Sequence, residues 1–514
     1  MSKSKKIKVT NYYASSSILV ISAVLITLVV IFPLMLNEES ISSENQKRPL
    51  KAFILSAYFY PVSESLGNNS LALVMSMNIG RMKDEERSTI EDTAIMVMAR
   101  NKSSGIVLNT NYERVTLHDN CQMITVFATL QLLPNPTQIA MLSNDTLTDI
   151  PYKIPSYSKR DVVVCISPIY VNEQWQSFLL AVHVYKHFGA HLHLYFISAV
   201  STFYQLMHEY EKLNFFTMQP WDRVTFPFVP GDVADVYQEM EFQSLAGAQT
   251  DCILQYKESA KFVALFELDD LLVPKVAPTL IEEFQNILGQ LRHVSFLSYK
   301  RKNFEASVYN NTGFSIQAMV DSFVATNTKQ GDRIVVVPKN LNYTWMDRPL
   351  YIPNGFVSLD VTANAITHIE NITWENEEPI INTDSGAIKM FSNNSSFSEK
   401  LYVTAFSEIE LELQSMLHNG RIAEIVPTLQ DFYHFYYVVK NCYEQKYYSF
   451  LRSETTNWVK NICPGPQMCG FYQHPKIQCV HVNAKHVGMP PLDPITYYYA
   501  TDHHYSSDIG CYAH

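Results

Sequence analysis

The sequence predicts an α/β protein: a mostly parallel, Rossmann-type sheet flanked by helices, preceded by a β-rich region and one N-terminal apolar helix. Three observations lead there. From Arg160 onward, strand-like and helix-like segments alternate. Inside that stretch, residues 262–274 read Phe-Val-Ala-Leu-Phe-Glu-Leu-Asp-Asp-Leu-Leu-Val-Pro, an apolar run that ends in acids. Near the start of the chain, residues 18–36 are apolar and uncharged.

The N-terminal run sets the expected compartment. Lys3, Lys5, Lys6 and Lys8 precede it, and Glu38 and Glu39 follow it. The apolar heart is long enough to cross a hydrocarbon layer of roughly 30 Å. Positive charge before a span predicts a cytoplasmic N-terminus. The expected order is a tail at 1–13, a transmembrane signal-anchor at 14–36 and a stem at 37–50, with everything later luminal. A cleaved signal peptide is the competing reading. It needs a shorter apolar core and a small-residue cleavage site. Ser22 and Ala23 are small but lie inside the run.

Two further features agree with a secretory route. Asn-x-Ser/Thr sequons begin at Asn68, Asn101, Asn144, Asn310, Asn342, Asn371, Asn393 and Asn394, whereas Pro136 disqualifies Asn135. Eight cysteines are present, and Cys442, Cys463, Cys469, Cys479 and Cys511 crowd the C-terminal segment 426–514. Such crowding suggests disulfide staples in an oxidising compartment. A zinc site from Cys463, Cys469, His474 and His481 is the weaker alternative, because no C-x-x-C pair is present.

Composition narrows the partners. A hydrophobic content of 47% and a charged content of 17% describe a folded chain rather than a disordered one. A net charge of -11 argues against a nucleic-acid surface. The 31 tyrosines and 28 phenylalanines pack cores first, and stack on sugars second.

Residues 51–159 carry alternating apolar patches with turns at Asn68-Asn69 and Asn135-Pro136, and read as a β-rich region closing in a Pro/Ser linker. The domain expected to bind ligand spans 160–425. A β-branched strand is predicted at 162–166. Asn172 can cap a helix carrying Trp175, Phe178, Leu179, Val182 and Tyr185, which Gly189 ends. Then come a strand at 191–197, a helix from Ser201 to Lys212, a strand at 224–229, a helix at 247–260 and the strand from Lys261. This order implies parallel strands joined by crossover helices. Ligands of such sheets gather at the strand ends, here 167–170, the segment after Ile197, and 267–270. No G-x-G-x-x-G follows the first strand, so a dinucleotide fingerprint is absent.

The acids after Phe266 carry the chemistry. Lone carboxylates cannot remain in a core, so they should emerge at the sheet edge. In an extended chain Glu267 and Asp269 face one side and Asp270 the other. Two hard oxygen ligands on one side suit Mg2+ or Mn2+, and such a metal can bridge to a diphosphate. The plainer reading is a strand ending in a solvated acidic turn. An acidic strand end on such a sheet fits a sugar-nucleotide site.

Cys165-Ile-Ser-Pro-Ile-Tyr170, the helix end His187-Phe-Gly-Ala190, Ala248-Gln-Thr-Asp-Cys252 and Phe266-Glu-Leu-Asp-Asp270 resemble, in order and rough spacing, the motifs of glycosyltransferase family 92. The resemblance covers roughly residues 162–402. It implies a GT-A-like fold, a single-pass type II protein of the Golgi membrane, and a divalent metal, Mn2+ or Mg2+. It also implies inverting transfer of galactose from UDP-galactose to a glycan or glycoprotein acceptor. Carried onto this chain, Ser167, Pro168 and Tyr170 would pack on the nucleotide, with Gln249 and Asp251 on the sugar-nucleotide side. The plain alternatives are a strand terminator for Pro168 and a helix cap for Asp251. Glu267, Asp269 and Asp270 would hold metal, although Glu267 departs from the usual aspartate. His368 resembles a downstream ligand. Lys300-Arg301-Lys302 is a phosphate contact or a solvated face. Glu370, Glu375 and Asp384 are the carboxylates that could act as base. A catalytically degenerate membrane lectin on the same fold is the alternative, which Glu267 favours; a luminal sugar-nucleotide hydrolase is another.

Overall fold

Alternation along the strand Arg160–Ile169 organises the molecule. Val162, Val164 and Ile166 pack on one face of the sheet, with Phe178 and Leu179 of the helix Trp175–His187 and Phe203 and Leu206 of the helix Ser201–Lys212. Val163 and Cys165 pack on the other, with Ala248, Cys252 and Ile253 of the helix Leu245–Tyr256. A strand covered on both faces must be apolar at every position, which is why it reads as a continuous run.

The structure, a computed structural model, describes residues 50–511 except 83–93, 117, 228–238, 310–312, 329–330, 347, 376–395, 449–462, 471–473 and 510. The expected tail, signal-anchor and nearly all of the stem therefore lie outside the described residues. Among the described residues no helix is long and apolar enough to cross a membrane.

The larger sheet runs in the order Phe216–Pro220, Ala190–Phe196, Arg160–Ile169, Ala260–Phe266, Arg333–Val336, Val294–Val308, Val357–Trp374 and Asp270–Leu271. The first four strands are parallel, as the alternating pattern predicts. Beyond them the sheet is mixed rather than mostly parallel. Arg333–Val336 runs antiparallel to both of its neighbours, and Asp270–Leu271 lies antiparallel on Val357–Trp374. Three predicted elements shift. The strand expected at 224–229 forms at Phe216–Pro220, directly after a turn at Asn214 with φ of 59°. Val224 instead packs with Phe53, Met123 and Tyr498 outside the sheet. The helix expected at 247–260 starts and stops earlier, at Leu245–Tyr256, because Ala260 already pairs with Arg160. Pro168 does not end its strand. The strand continues to Ile169 through a register shift around Ser167 and Pro168, a bulge that tolerates the missing N–H.

A second sheet joins the first and last strands among the described residues. Its order is Ser198–Val200, Gln478–Gly488, Ile495–Ile509, Leu50–Tyr60, Ser70–Met77, Ile124–Gln131 and Glu113–Arg114. Leu50–Tyr60 pairs in parallel with Ile495–Ile509. The segment after Ile197, expected at the ligand, is the edge strand of this sheet and pairs with Cys479–His481. A four-stranded sheet, Gly105–Thr110, Ile95–Arg100, Gln138–Ser143 and Thr146–Asp149, completes the β-rich region. Disulfides link Cys121–Cys463, Cys165–Cys252, Cys442–Cys469 and Cys479–Cys511. No cysteine is left as a thiolate for zinc.

One buried polar link ties the helix Ser396–Leu417 to Trp175–His187. Glu412 can only accept, so His183 donates Nδ1–H to it at 2.8 Å and accepts from the Tyr210 hydroxyl at 3.0 Å through Nε2. Burial pushes His183 down, which keeps the ring neutral. The hydrogen bond from His183, helped by Lys186, holds Glu412 down at about 2 against an ordinary 4.5. A depressed carboxylate stabilises the fold above its unfolded pKa and loses that contribution as pH falls through its folded pKa. Glu412→Gln should therefore melt earlier than wild type at pH 6 to 7. That gap should narrow as pH drops below about 4.5 toward about 2. Thermal melts across that range check it.

Candidate active site

The strand Ala260–Phe266 is apolar to its end, and the chain then turns. The Asp270 N–H donates to the Glu267 carbonyl at 3.1 Å, closing a turn over 267–270. This turn cancels the extended-chain expectation that Asp270 faces away from Glu267 and Asp269. After the turn, Asp270–Leu271 pairs with Thr367 and His368, placing His368 opposite Asp270. Tyr185 fixes the turn from beneath, donating to the Asp270 carbonyl at 2.8 Å and accepting from Leu272 N–H at 3.2 Å. Glu267, Asp269, Asp270 and His368 thereby converge, with one ligand atom of each within 4.8 Å of the others.

The four do not play equal parts. Two arginines lie under the cluster. Arg301 reaches Glu267 at 3.0 Å and Asp270 at 2.9 Å. Arg333 reaches Glu267 at 2.6 Å and Asp270 at 2.9 Å. Burial alone would push both carboxyls up, but the two guanidinium groups outweigh it. Arg333 and then Arg301 hold Glu267 below the ordinary range; Arg301 and then Arg333 hold Asp270 well below it. The Asp270 side chain is fully buried, and its carboxylate is shared among Arg301, Arg333 and His368. Glu267 still borders the cleft, but its oxygens are engaged. Asp269 differs: its nearest partner is the His368 ring at 3.5 Å, and burial pushes its carboxyl up. His368 Nδ1 lies 2.6 Å from Arg301 and 3.1 Å from Asp270, so among the three acids and the imidazole Asp269 is the one that neither arginine contacts.

These groups open into a cleft of about 970 Å3. Ser167, Pro168 and Tyr170, the residues expected to pack on a nucleotide, line it. Ser167 Oγ also donates to the Phe266 carbonyl at 3.3 Å, joining that bulge to the acidic turn. Gln249 and Asp251 do not line the cleft, which corrects their assignment. The helix begins at Leu245, so both lie past its first turn. Asp251 is fully buried and accepts from Tyr195 at 2.5 Å, Tyr58 at 3.0 Å and Gln219 at 3.1 Å, a set that spends its charge on packing. Gln249 is buried beside it on the same helix. Of the carboxylates considered as base, Glu370 lines the cleft and accepts from Thr328 at 2.7 Å and Thr326 at 2.8 Å. Glu375 is exposed and accepts from Ser307 at 3.3 Å. Asp384 lies outside the described residues.

The sequence reading names Arg301 only within the run Lys300-Arg301-Lys302, and misses Arg333. Arg301 had a signal: period-2 alternation places it opposite Lys300 and Lys302, so one of the three faces inward while both lysines stay exposed. Lys300 pairs with Asp332 at 2.6 Å at the cleft edge. Arg333 had none. The C-terminal segment also enters the site. Glu173 accepts from the N–H groups of Phe435 at 2.8 Å, His434 at 2.9 Å and Tyr436 at 3.1 Å, seating the helix Tyr436–Tyr443 as a cleft wall. Tyr436, Lys440, Tyr443 and Pro466 line the cleft from there.

The family model for glycosyltransferase family 92 matches residues 160–417, the segment that carries the strand, the turn and His368. A Caenorhabditis elegans glycosyltransferase family 92 protein is 43% identical over 93% of this chain and 93% of its own length. Two others from the same organism are 30% identical over 91% of both chains, and 29% identical over 93% of this chain and 95% of theirs. A crystal structure of Staphylococcus aureus TarS residues 1–349 overlaps 51% of this chain and 75% of its own, at 8% identity and a TM-score of 0.25, too slight an overlap to argue from. The chain belongs to glycosyltransferase family 92.

Asp270 and Asp269 should separate in the laboratory. Asp270→Asn leaves two buried guanidinium groups short of a carboxylate. Breaking such a buried pair costs about 3–5 kcal/mol. Asp269→Asn removes no arginine partner and should leave the denaturant midpoint near wild type. Equilibrium unfolding of both variants checks the contrast.

Proposed function

We propose that this glycosyltransferase moves galactose from UDP-galactose onto a glycan hydroxyl with inversion, on a GT-A-like fold. The observation that carries the reading is the convergence of Asp269 and His368 beside the arginine-held acids at the end of the central strand. A carboxylate and an imidazole suit Mn2+ or Mg2+, so the residues fit a divalent cation. Such a cation would offset charge on the departing diphosphate. The remaining steps belong to the chain. Ser167, Pro168 and Tyr170 wall the cleft where the nucleotide would lie. Arg301 and Arg333 keep Glu267 and Asp270 ionised and so keep the turn in one shape. Glu370, held ionised by the two threonine hydroxyls that outweigh its burial, is the lining carboxylate placed to accept the acceptor proton. A single displacement needs that base and no protein nucleophile beneath the sugar.

Asp269→Ala should lower UDP-galactose turnover by about a thousandfold or more while the protein stays folded, since several kcal/mol of transition-state stabilisation would be lost. The product should carry a β-linkage, read from proton coupling constants. An α-linked product would refute inversion, and wild-type turnover in the variant would refute the site. The non-catalytic lectin reading draws support from the engagement of Glu267 by both arginines. It requires glycan binding without UDP release from any UDP-sugar in the presence of Mn2+.

The reading includes a single-pass type II placement in the Golgi membrane with the described residues luminal. The lysines before the apolar run, the sequons and the four disulfides support it. Asn68 and Asn144 are exposed, whereas Asn371 accepts from the Tyr437 hydroxyl at 3.1 Å. Glycopeptide mapping of the membrane-bound protein should find glycans at Asn68 and Asn144 and none at Asn371. Protein without any N-glycan from secretory cells would sink the topology.

A further inference from the structure

The cleft lining includes an unusual turn. Phe242, Gln243 and Ser244 are three consecutive non-glycine residues in the left-handed region, at φ of 39°, 57° and 62°. L-residues adopt that conformation at a cost, and such residues cluster where a ligand is held. The turn is fixed from several sides. Phe242 N–H donates to the Pro464 carbonyl at 2.7 Å, next to the Cys121–Cys463 disulfide. Trp221 Nε1 donates to the Gln243 carbonyl at 3.1 Å. Ser244 N–H donates to the Glu241 carbonyl at 2.8 Å, and Glu241 in turn accepts from Trp345 Nε1 at 2.8 Å.

Against that network one group stands out. Gln243 lines the cleft and is 4% exposed, yet its Nε2 has no hydrogen-bond partner among the described residues. A buried donor without an acceptor is costly, and a ligand that brings an acceptor removes the cost. The helix Leu245–Tyr256 starts right after it, with Leu245 in the cleft lining. Its N-cap Ser244 makes no side-chain capping bond, so the first-turn N–H groups keep their partial positive charge. The chain then reverses within a few residues into Ala260–Phe266, so the helix start lies at the same end of the sheet as Glu267 and Asp269. Phe242 and Tyr443 also line the cleft, their rings 5.5 Å apart, and give an aromatic surface of the kind that meets the C–H face of a sugar ring.

We infer that Gln243 and Phe242 form the subsite for the donor hexose, the Gln243 carboxamide donating Nε2–H to a sugar hydroxyl and the Phe242 ring covering the sugar face. The inference rests on the glycosyltransferase reading above and adds the residues that recognise the transferred sugar. The open helix start favours the donor over a neutral acceptor, because its positive end suits the side of the sugar that carries the diphosphate.

The test compares UDP with UDP-galactose on the full chain in detergent with Mn2+, by calorimetry. Wild type should bind UDP-galactose more tightly than UDP. Gln243→Ala should weaken UDP-galactose about tenfold, the scale of one hydrogen bond to a ligand, and leave UDP binding unchanged. Gln243→Glu, of nearly the same size but without the amide donor, should show the same selective loss, which separates the hydrogen bond from a packing defect. Unchanged UDP-galactose affinity in both variants overturns the inference. So does an equal loss for UDP and UDP-galactose, a shift confined to the acceptor KM, or loss of the fold in both variants by thermal melting. Wild type that binds neither UDP nor UDP-galactose defeats the glycosyltransferase reading itself, a different failure from the preceding ones.

Discussion

Two buried guanidinium groups, the buried Asp270 carboxylate and the half-buried Glu267 carboxylate set the geometry of the cleft. Arg301 and Arg333 each bridge Glu267 and Asp270 at 2.6–3.0 Å. A lone charge at that depth is untenable, but a closed set with two of each sign is not. Its members come from three places in the chain: the turn after Ala260–Phe266, the middle of Val294–Val308, and the first residue of Arg333–Val336. The set forms only when these strands reach their native register. It thus couples sheet assembly to the shape of the acidic turn, and that shape presents Asp269 and His368 to the cleft.

The same arrangement divides labour among adjacent acids. Asp270 is fully buried and held far below its ordinary pKa; Asp269, one residue earlier, is pushed the other way by burial. Adjacent carboxylates with opposite shifts mark different roles. Asp270 is engaged by both arginines, whereas neither contacts Asp269. Glu267 sits between these cases, exposed enough to border the cleft but bound by both arginines.

The rest of the molecule closes the cleft rather than decorating it. Glu173, beside the first strand of the larger sheet, captures three backbone N–H groups of the C-terminal segment and brings Tyr436 and Tyr443 to the wall. Cys121–Cys463 then links that segment to the β-rich region, and Phe242 hydrogen-bonds the chain one residue beyond the bridge. Parallel pairing of Leu50–Tyr60 with Ile495–Ile509 makes the first and last described strands neighbours in one sheet. Regions far apart in sequence therefore share the work of holding the left-handed turn at 242–244.

Local patterns in the sequence were enough to indicate the strand–helix alternation from Arg160 to Phe266, the acidic strand end and the family motifs, although not the bounds of the third strand and third helix. These depend on periodicity and short-range order, and an apolar run meeting acids has few places to go in a parallel sheet. The sequence also held a hint of Arg301, in the alternation of Lys300-Arg301-Lys302. It could not reveal that Asp270 turns back toward Glu267, because an extended chain predicts the reverse and only a turn pinned by Tyr185 overrides it. Nor could it place Asp251 among three hydrogen-bond donors, or bring Arg333 beneath the acids, or leave Gln243 Nε2 without a partner among the described residues. Those outcomes depend on which distant strands pair and in what register, and register is decided only when the whole set of side chains is buried at once.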